Sequence, residues 1–218
     1  MAIAAITGLA AEARLLRRIG ISAVATGGQP ARIANSAEGL PANVSLLSFG
    51  IAGGLAPGLA PGTIILPLRV LAASGASYSV DADWRGRVAA ALSARGMVAL
   101  DGDLFGAPRA IAAATEKEAL NRRTGAIAVD LESHVLARAA QRHGRPFLAL
   151  RAIADGAEHT LPPAAAVGLD SDGRAAPGQV LLALLREPQQ LSALLGAARV
   201  TRLALAALAK AVEALREV

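Results

Sequence analysis

Cysteine is absent from this chain of 218 residues, which excludes disulfide bonds and thiolate metal sites. Histidine is almost as scarce. The three histidines, His134, His143 and His159, show no metal-binding spacing relative to carboxylates. The sequence therefore predicts a chemistry that needs no bound metal.

Aromatic residues make up only 2% of the chain, whereas hydrophobic residues as a whole make up 54%. Aliphatic side chains must therefore form most of the core. A length of 218 residues is sufficient for one α/β domain with a substantial core.

Charged residues are sparse and slightly biased towards basic ones, with 22 basic and 17 acidic residues giving a net charge of +5. The basic residues are scattered, and the few aromatic residues do not alternate with them. This pattern disfavours a nucleic-acid-binding protein. A solvated, arginine-rich surface is the preferred interpretation, and contact with an anionic membrane surface is the weaker one.

Long uninterrupted hydrophobic runs are also missing. The longest uncharged stretch, residues 39–68, is broken repeatedly by glycine and proline, which disfavours a membrane span there. The N-terminal residues show no basic segment and no cleavage pattern. We therefore expect no signal peptide and a cytoplasmic location.

Short apolar segments alternate with helical patterns along most of the chain. The predicted strands are 2–6, 21–26, 44–49, 63–73, 97–100, 126–129 and 147–153, and the clearest predicted helices are 9–18, 81–95 and 132–143. This alternation predicts a largely parallel sheet covered on both faces. A loop over 156–178 and helices over 179–188 and 189–218 are expected to follow.

Acidic and glycine-rich residues come directly after several of these strands. Glu12 follows the first strand, "GIAGG" (50–54) the third, "DGDLF" (101–105) the fifth and "DLES" (130–133) the sixth, while Asp155 follows the seventh. Ligands of open α/β sheets bind beyond the carboxyl ends of the strands. We therefore expect three carboxylates to converge on one rim of the sheet.

Each of these residues also has an ordinary structural interpretation. Glu12 and Glu132 could be acids in the first turn of a helix, where the helix dipole favours negative charge. Asp130 could be an N-cap, Asp155 could begin a turn, and the glycines could serve tight turns. The joint placement, rather than any single residue, favours a functional site.

The motifs "GIAGGLAPGLAPGTIILP", "DGDLF", "VDLES" and "RAIAD", in this order, resemble the purine nucleoside phosphorylase and nucleosidase superfamily. Within it the chain is similar to the methylthioadenosine/S-adenosylhomocysteine nucleosidases. The segments "TGLAAEA", "SFGIAGGL", "VDLESH" and "LPP" most resemble the hopanoid-associated phosphorylases. The resemblance covers roughly residues 1–160. It implies a three-layer α/β/α fold with a central mixed sheet, here with a helical C-terminus over 177–218 in a single domain of 1–218.

The resemblance also implies roles for individual residues. Asp155 matches the aspartate that protonates purine N7, and Glu12 matches the glutamate that activates the attacking water in the nucleosidases. Glu132 matches the glutamate that binds the ribose hydroxyls, and Leu131 stands where methionine is usual.

The remaining matches lie around the base and the sugar. Phe105 matches the aromatic residue that stacks on the base, and Arg151 matches the arginine near the ribose. Ala52 and Gly53 match the backbone turn beside the sugar.

General chemistry agrees with such a division of labour. The purine leaves more easily when N7 is protonated, so one carboxylic acid must donate a proton near pH 7. Burial beside apolar walls would raise the pKa of such an acid. A second carboxylate can bind the sugar hydroxyls, and a third can deprotonate water.

Two positions depart from the family pattern. Ile51 replaces a serine, which removes one hydroxyl from a phosphate site, and Ala154 replaces a serine that would orient Asp155. Thr7, Thr26 and Arg32 are the nearest candidates for binding an anion. Hydrolysis is therefore favoured over phosphorolysis. No cofactor is expected, and phosphate would enter only as the co-substrate of a phosphorolysis.

The sequence thus predicts an enzyme that releases adenine from a 5′-substituted adenosine, with adenosylhopane as the substrate that the subgroup implies. The alternatives are a methylthioadenosine/S-adenosylhomocysteine nucleosidase of methionine salvage and a purine-binding protein without catalysis. The resemblance also implies a homodimer. The apolar C-terminal helix is expected either to pack on the sheet or a second subunit, or to wall an apolar 5′ pocket or rest on a membrane.

Overall fold

The central feature of the molecule is a mixed sheet of ten strands. The computed structural model describes residues 2–162, 173 and 187–217. The strands are β1 (Ile3–Thr7), β2 (Ser22–Ala25), β3 (Ser45–Gly54), β4 (Ile64–Ile65), β5 (Arg69–Ala72), β6 (Ser77–Ser79), β7 (Ala99–Leu100), β8 (Asp103–Gly106), β9 (Ala128–Asp130) and β10 (Phe147–Ile153).

Six α-helices are described around the sheet. They are α1 (Ala10–Arg18), α2 (Pro30–Glu38), α3 (Ala82–Ala94), α4 (Ala114–Thr124), α5 (Ser133–Arg142) and α6 (Leu191–Ala211). A 3₁₀ turn precedes α6 at Pro188–Gln190, and another follows it at Val212–Glu217. The predicted helix over 179–188 lies almost wholly outside the described residues.

The sheet is built around β3. Its first part pairs in parallel with β1 on one side and β10 on the other, and its last two residues, Gly53 and Gly54, pair antiparallel with β9. Strand β10 then pairs antiparallel with β4. The strands β5, β8 and β9 continue the sheet in parallel beyond β3. The predicted mixed α/β architecture is confirmed.

Two groups of helices cover the sheet. Helix α5 packs against β3, β8 and β10 and contacts α2, whereas α6 packs against β3, β4 and β10 and contacts α1. Strand β10 is buried along its whole length between these groups. This explains why its sequence is a continuous apolar run rather than an alternating one.

Several predicted boundaries were wrong. The single strand expected over 63–73 is two strands, β4 and β5, which lie in different parts of the sheet. The proline at position 67 between them has no backbone N–H for the ladder. Strand β6 and helix α4 were not predicted at all.

Two motifs placed in loops are in fact strands. The "GIAGG" segment forms the end of β3, and most of "DGDLF" forms β8. Glycine is unfavourable in a strand unless another group approaches the backbone closely. That exception applies at Gly50, where an added Cβ would lie 2.6 Å from Arg151 Nη1 and 2.7 Å from both carboxylate oxygens of Glu12.

Candidate active site

A cavity of about 680 Å³ opens where β1, β3, β9 and β10 end. Its wall includes the three carboxylates expected from the sequence, Glu12, Glu132 and Asp155, together with Asp130. The rest of the wall is the polar residue Gln29, glycine backbone and apolar residues that include Leu9, Ile51, Ile111, Val129, Leu131 and Leu161. The structure thus brings the predicted acidic residues together in one site.

Glu12 lies in the first turn of α1 and is 1% exposed. Its Oε2 accepts a hydrogen bond from Leu9 N at 2.8 Å, and its Oε1 accepts one from Ile51 N at 2.8 Å. Burial raises the pKa of the Glu12 carboxyl to about 7, although these backbone donors and Arg151 oppose the shift. Glu12 therefore changes charge near neutral pH. Glu12 is thus an acid in the first turn of a helix, as the ordinary structural interpretation has it, and it also lines the cavity.

Glu132 stands at the N-cap position of α5 but makes no side-chain capping hydrogen bond. A Cβ added to Gly8 would lie 2.6 Å from Glu132 Oε1, and a Cβ added to Gly28 would lie 3.4 Å from the same oxygen. Burial raises the pKa of Glu132 to about 7, and the Arg151 charge opposes this shift. Two glycines therefore provide the space in which this carboxylate faces the cavity.

Arg151, in the middle of β10, is fully buried behind the two glutamates. Its Nη2 lies 2.5 Å from Asp130 Oδ2 and 3.3 Å from Glu132 Oε2, and it also donates to Ser48 Oγ at 2.5 Å. Asp130 Oδ1 in turn accepts from Ser133 N at 3.2 Å, which caps α5. Arg151 thus holds Asp130 and Glu132 in place, as a buried charge with close partners does.

Asp155 follows β10, and its side chain is 12% exposed. The apolar surroundings expected for it are interrupted by a buried lysine. Lys117 Nζ, from α4, makes an ion pair with Asp155 Oδ2. The orienting serine that Ala154 replaces thus has a substitute on a different element.

Lys117 was missed because no helix was predicted over the charged segment "TEKEALNRR", and nothing in that segment indicates a buried lysine. One signal was available: only two of the 22 basic residues are lysines, Lys117 and Lys210. Because every other basic residue is arginine, each lysine marks a position where a compact ammonium group is used instead of a guanidinium.

The other predicted residues divide into two groups. Ile51, Ala52, Gly53 and Leu131 line the cavity. Phe105 does not: it lies in β8, is 5% exposed and packs in an apolar cluster with Leu55, Leu120 and Val129. The expectation that Phe105 stacks on the base is therefore not met in this structure, because β8 extends through the "DGDLF" motif and buries the ring.

The two threonine hydroxyls that were candidates for binding an anion already donate hydrogen bonds to backbone oxygens. Thr7 Oγ1 donates to Leu9 O at 3.0 Å, and Thr26 Oγ1 donates to Thr7 O at 3.1 Å. Arg32 is not among the cavity residues, and the part of the wall that the structure describes contains no arginine or lysine. This cavity is therefore predominantly acidic where it is polar.

Helix α6 does not reach the described wall of the cavity. Its C-terminal half packs on the sheet, with Ala204, Leu208 and Ala211 buried, whereas Leu191, Leu195 and Leu203 are 49%, 60% and 49% exposed. Packing on the sheet is thus confirmed for that half, and the expectation that α6 walls the site is wrong for the described residues. Of the described segments, residues 191–217 are long and apolar enough to cross a membrane.

Comparison with known proteins gives a family match and several structures of the same fold. The family model described as the phosphorylase superfamily matches residues 43–186. No match was found among curated protein sequences. One similar structure is the 5′-methylthioadenosine/S-adenosylhomocysteine nucleosidase from Neisseria meningitidis in complex with methylthio-immucillin-A. It has 16% identity and a TM-score of 0.71, and the match covers 99% of each chain.

Two further structures show the same fold. Native futalosine hydrolase of Helicobacter pylori has 13% identity, 97% coverage of each chain and a TM-score of 0.66. The S-adenosylhomocysteine nucleosidase from Streptococcus pyogenes, in complex with 5-methylthiotubericidin, has 18% identity and a TM-score of 0.64. That match covers 72% of this chain and 84% of the other.

Proposed function

Because this chain belongs to the phosphorylase superfamily, we propose that it hydrolyses the N-glycosidic bond of a 5′-substituted adenosine and releases adenine. The observation that carries the proposal is the distribution of carboxylates around one cavity. Glu12 and Glu132 lie together beside Gly8, which we take as the sugar end, and Asp155 lies beside Gly53, which we take as the base end. A nucleoside spans two such ends, because its base and its sugar need different chemistry.

Glu12 is the proposed base that activates water. With a pKa of about 7, an appreciable fraction of its carboxyl is ionised at neutral pH, and that fraction can accept a proton from water. The fixed hydrogen bonds to Leu9 and Ile51 hold the side chain in one orientation. Little reorganisation is then needed at the moment of reaction.

Glu132 is the proposed ligand of the ribose hydroxyls. Its Oε1 faces the space kept open by Gly8 and Gly28, and its Oε2 is held by Arg151. A carboxylate so fixed accepts hydrogen bonds from a diol and stabilises positive charge on the sugar during bond cleavage. Asp155, at the other end, is the proposed partner of purine N7.

The acidic character of the cavity supports hydrolysis over phosphorolysis. Phosphate binding needs cationic or hydroxyl donors. Apart from Gln29, the polar side chains of the described wall are carboxylates, and the hydroxyls of Thr7 and Thr26 donate to backbone oxygens. Water carries no charge and meets no such repulsion. We propose accordingly that the enzyme needs neither phosphate nor a cofactor.

The apolar part of the wall indicates an apolar 5′ substituent. Leu9, Ile51, Ile111, Leu131 and Leu161 surround the carboxylates. Adenosylhopane, the substrate implied by the sequence resemblance, is mostly hydrocarbon beyond its ribose. Methylthioadenosine or S-adenosylhomocysteine is the second candidate, favoured by the full-length structural likeness to the Neisseria meningitidis nucleosidase.

The cellular setting is proposed from the same resemblance. We propose a cytoplasmic homodimer whose exposed α6 leucines, Leu191, Leu195 and Leu203, contact a membrane surface. Sedimentation analysis tests the dimer. Flotation with anionic vesicles, compared between the wild type and Leu195→Gln, tests the membrane contact; equal flotation of both proteins would contradict it.

The decisive experiment measures adenine release from a panel of 5′-substituted adenosines, with and without phosphate. Adenine and a free 5′-substituted ribose are expected in phosphate-free buffer. A product that is a sugar 1-phosphate would replace hydrolysis by phosphorolysis. Tight purine binding without release of adenine from any substrate would indicate a binding protein and overturn the enzymatic proposal.

A further inference from the structure

Lys117 is an unusual residue for the inner face of α4. It is fully buried, and its ammonium has three partners: Asp155 Oδ2, Gly156 O at 3.0 Å and His159 O at 2.8 Å. A lysine ammonium has three donors and no acceptor. All three donors are therefore used, which specifies the charged form of Lys117 and leaves the Asp155 carboxylate as an acceptor.

The other ionisable groups near Asp155 do not substitute for this pairing. Glu158, in the same loop, is exposed and accepts from Gly58 N at 3.1 Å. His159 offers its backbone oxygen to Lys117. Glu12 and Glu132 lie at the sugar end of the same cavity. Among the described residues, Lys117 alone supplies a cation in contact with Asp155.

This pairing creates a chemical conflict with an ordinary purine nucleoside. An ionised carboxylate only accepts hydrogen bonds, and N7 of a purine nucleoside is also an acceptor. Two acceptors cannot bond to each other, and an unmade hydrogen bond between buried groups is costly. A proton must therefore enter the site before Asp155 and N7 can interact.

We propose that Lys117 is a positioning residue that holds Asp155 as a carboxylate in the empty site, so that binding of the nucleoside takes up one proton from solvent. This inference rests on the proposed function. The proton lies between Asp155 and N7 in the complex. Lys117 stabilises the carboxylate that re-forms when N7 keeps the proton.

The atoms and charges of the reaction balance. The bond from C1′ to N9 breaks, and its electron pair leaves with the purine, which carries the acquired proton on N7 as neutral adenine. A water oxygen bonds to C1′, and the proton lost from that water passes to the Glu12 carboxylate and then to solvent. One proton enters on binding and one is released after cleavage.

Two uncleavable ligands distinguish the proton shared by Asp155 and N7 from protons that other groups take up or release on binding. The first is the carbocyclic analogue of 5′-methylthioadenosine, whose N7 is an acceptor. The second is the 9-deaza C-nucleoside with the same ring hydroxyls and 5′ substituent, whose N7 carries a hydrogen. Both ligands make the same sugar contacts, so protons exchanged by Glu12 or Glu132 are common to the two. Calorimetry at pH 8 in two buffers of different ionisation enthalpy counts the protons taken up.

The wild type is expected to take up about one proton more with the carbocyclic ligand than Asp155→Asn does, because the amide cannot accept one. The 9-deaza ligand should show no such excess, because its N7–H can donate directly to the carboxylate. Equal uptake by wild type and Asp155→Asn with the carbocyclic ligand would overturn the inference, whereas failure of both ligands to bind would overturn the proposed function itself.

Variants of Lys117 complete the test. In Lys117→Met the Asp155 carboxylate would be buried without a counter-charge, a state that favours protonation of the empty site. Uptake with the carbocyclic ligand should then fall by about one proton, whereas Lys117→Arg, which keeps the cation, should retain the wild-type value. Wild-type uptake in a folded Lys117→Met protein would refute the role of Lys117. If Lys117→Met does not fold, Lys117→Gln, which keeps amide donors but carries no charge, makes the same comparison.

Discussion

The two ends of the cavity bury carboxylates in different ways. At the sugar end, Glu12 and Glu132 share one cation, Arg151, with Asp130. At the base end, Asp155 has its own cation, Lys117. One positive charge cannot compensate three carboxylates in a buried cluster, so burial prevails there and raises the pKa of both glutamates to about 7.

This difference reverses the simplest division of labour. The departing base requires an acid, yet the carboxylate at its end is ion-paired. Activation of water requires a base, yet the sugar end holds carboxyls that are partly protonated at neutral pH. The count of local cations, rather than burial alone, therefore distinguishes the two ends.

The largest expected effect concerns the base end. Asp155→Asn should lower adenine release by about 10²–10⁴-fold, because an amide cannot pass a proton to N7. Steady-state kinetics would measure this loss, with circular dichroism to confirm the fold. Glu158→Gln is the matched control, since Glu158 is an exposed carboxylate of the same loop. Near-normal turnover in Asp155→Asn would remove Asp155 from the mechanism.

The next effect concerns the sugar end. Because a base acts in its deprotonated form, kcat/KM of the wild type should rise with pH through about 7, the pKa of Glu12. Glu12→Gln should lower the rate at pH 8 by about 10²-fold or more. A pH–rate profile from pH 5 to 9 would show both results. A profile that is flat around pH 7 would exclude Glu12 as the base.

The raised pKa of Glu12 also affects stability. Between pH 4.5 and about 7 the folded state binds more protons than the unfolded state, so ionisation of Glu12 should lower the free energy of unfolding by about 3 kcal/mol across this range. Comparing Glu12→Gln with the wild type in urea at pH 4.5 and pH 8 isolates this slope from any constant offset. The control Glu118→Gln changes an exposed carboxylate on α4. A parallel pH dependence in wild type and Glu12→Gln would contradict the prediction.

A smaller effect is expected from the space around Glu132. In Gly8→Ala the new Cβ would lie 2.6 Å from Glu132 Oε1, so the carboxylate must move by a few tenths of an ångström or more. We expect kcat/KM to fall by about tenfold, mostly through KM, since small misplacements of binding groups are costly. Gly86→Ala, in α3 with no atom within 4 Å of the new Cβ, is the control. Equal activity of the two variants would indicate that Glu132 does not touch the sugar.

Much of the architecture was accessible from apolar periodicity. The strands β1, β3 and β10 and the helix α5 were expected near their observed positions, because long buried segments produce strong patterns. The short strands β2, β7 and β9 were also expected, but β6, β8 and the glycine-rich end of β3 were not. The end of β3 and the strand β8 look like loops, since glycine and aspartate weaken strand propensity while their hydrogen bonds come from distant strands.

The residues of the candidate site were likewise predictable only where a local sequence pattern marked them. Glu12, Glu132 and Asp155 could be anticipated, because the residues that follow successive strands share one rim of a sheet. Phe105 could not be placed, because its position depends on how far β8 extends. Lys117 lies on α4, 38 residues before its partner Asp155, and no local pattern connects the two.

The sequence by itself determined the alternating α/β architecture, the family and the identity of the carboxylates, because these follow from periodicity and from residues next to strand ends. Only the tertiary structure decided how many cations each carboxylate shares. Ionisation depends on charges within a few ångströms and on exclusion of water, and both are set by packing between elements far apart in the chain. The pairing of Lys117 with Asp155, and of Arg151 with three acids, exists only after the sheet and its helices have assembled.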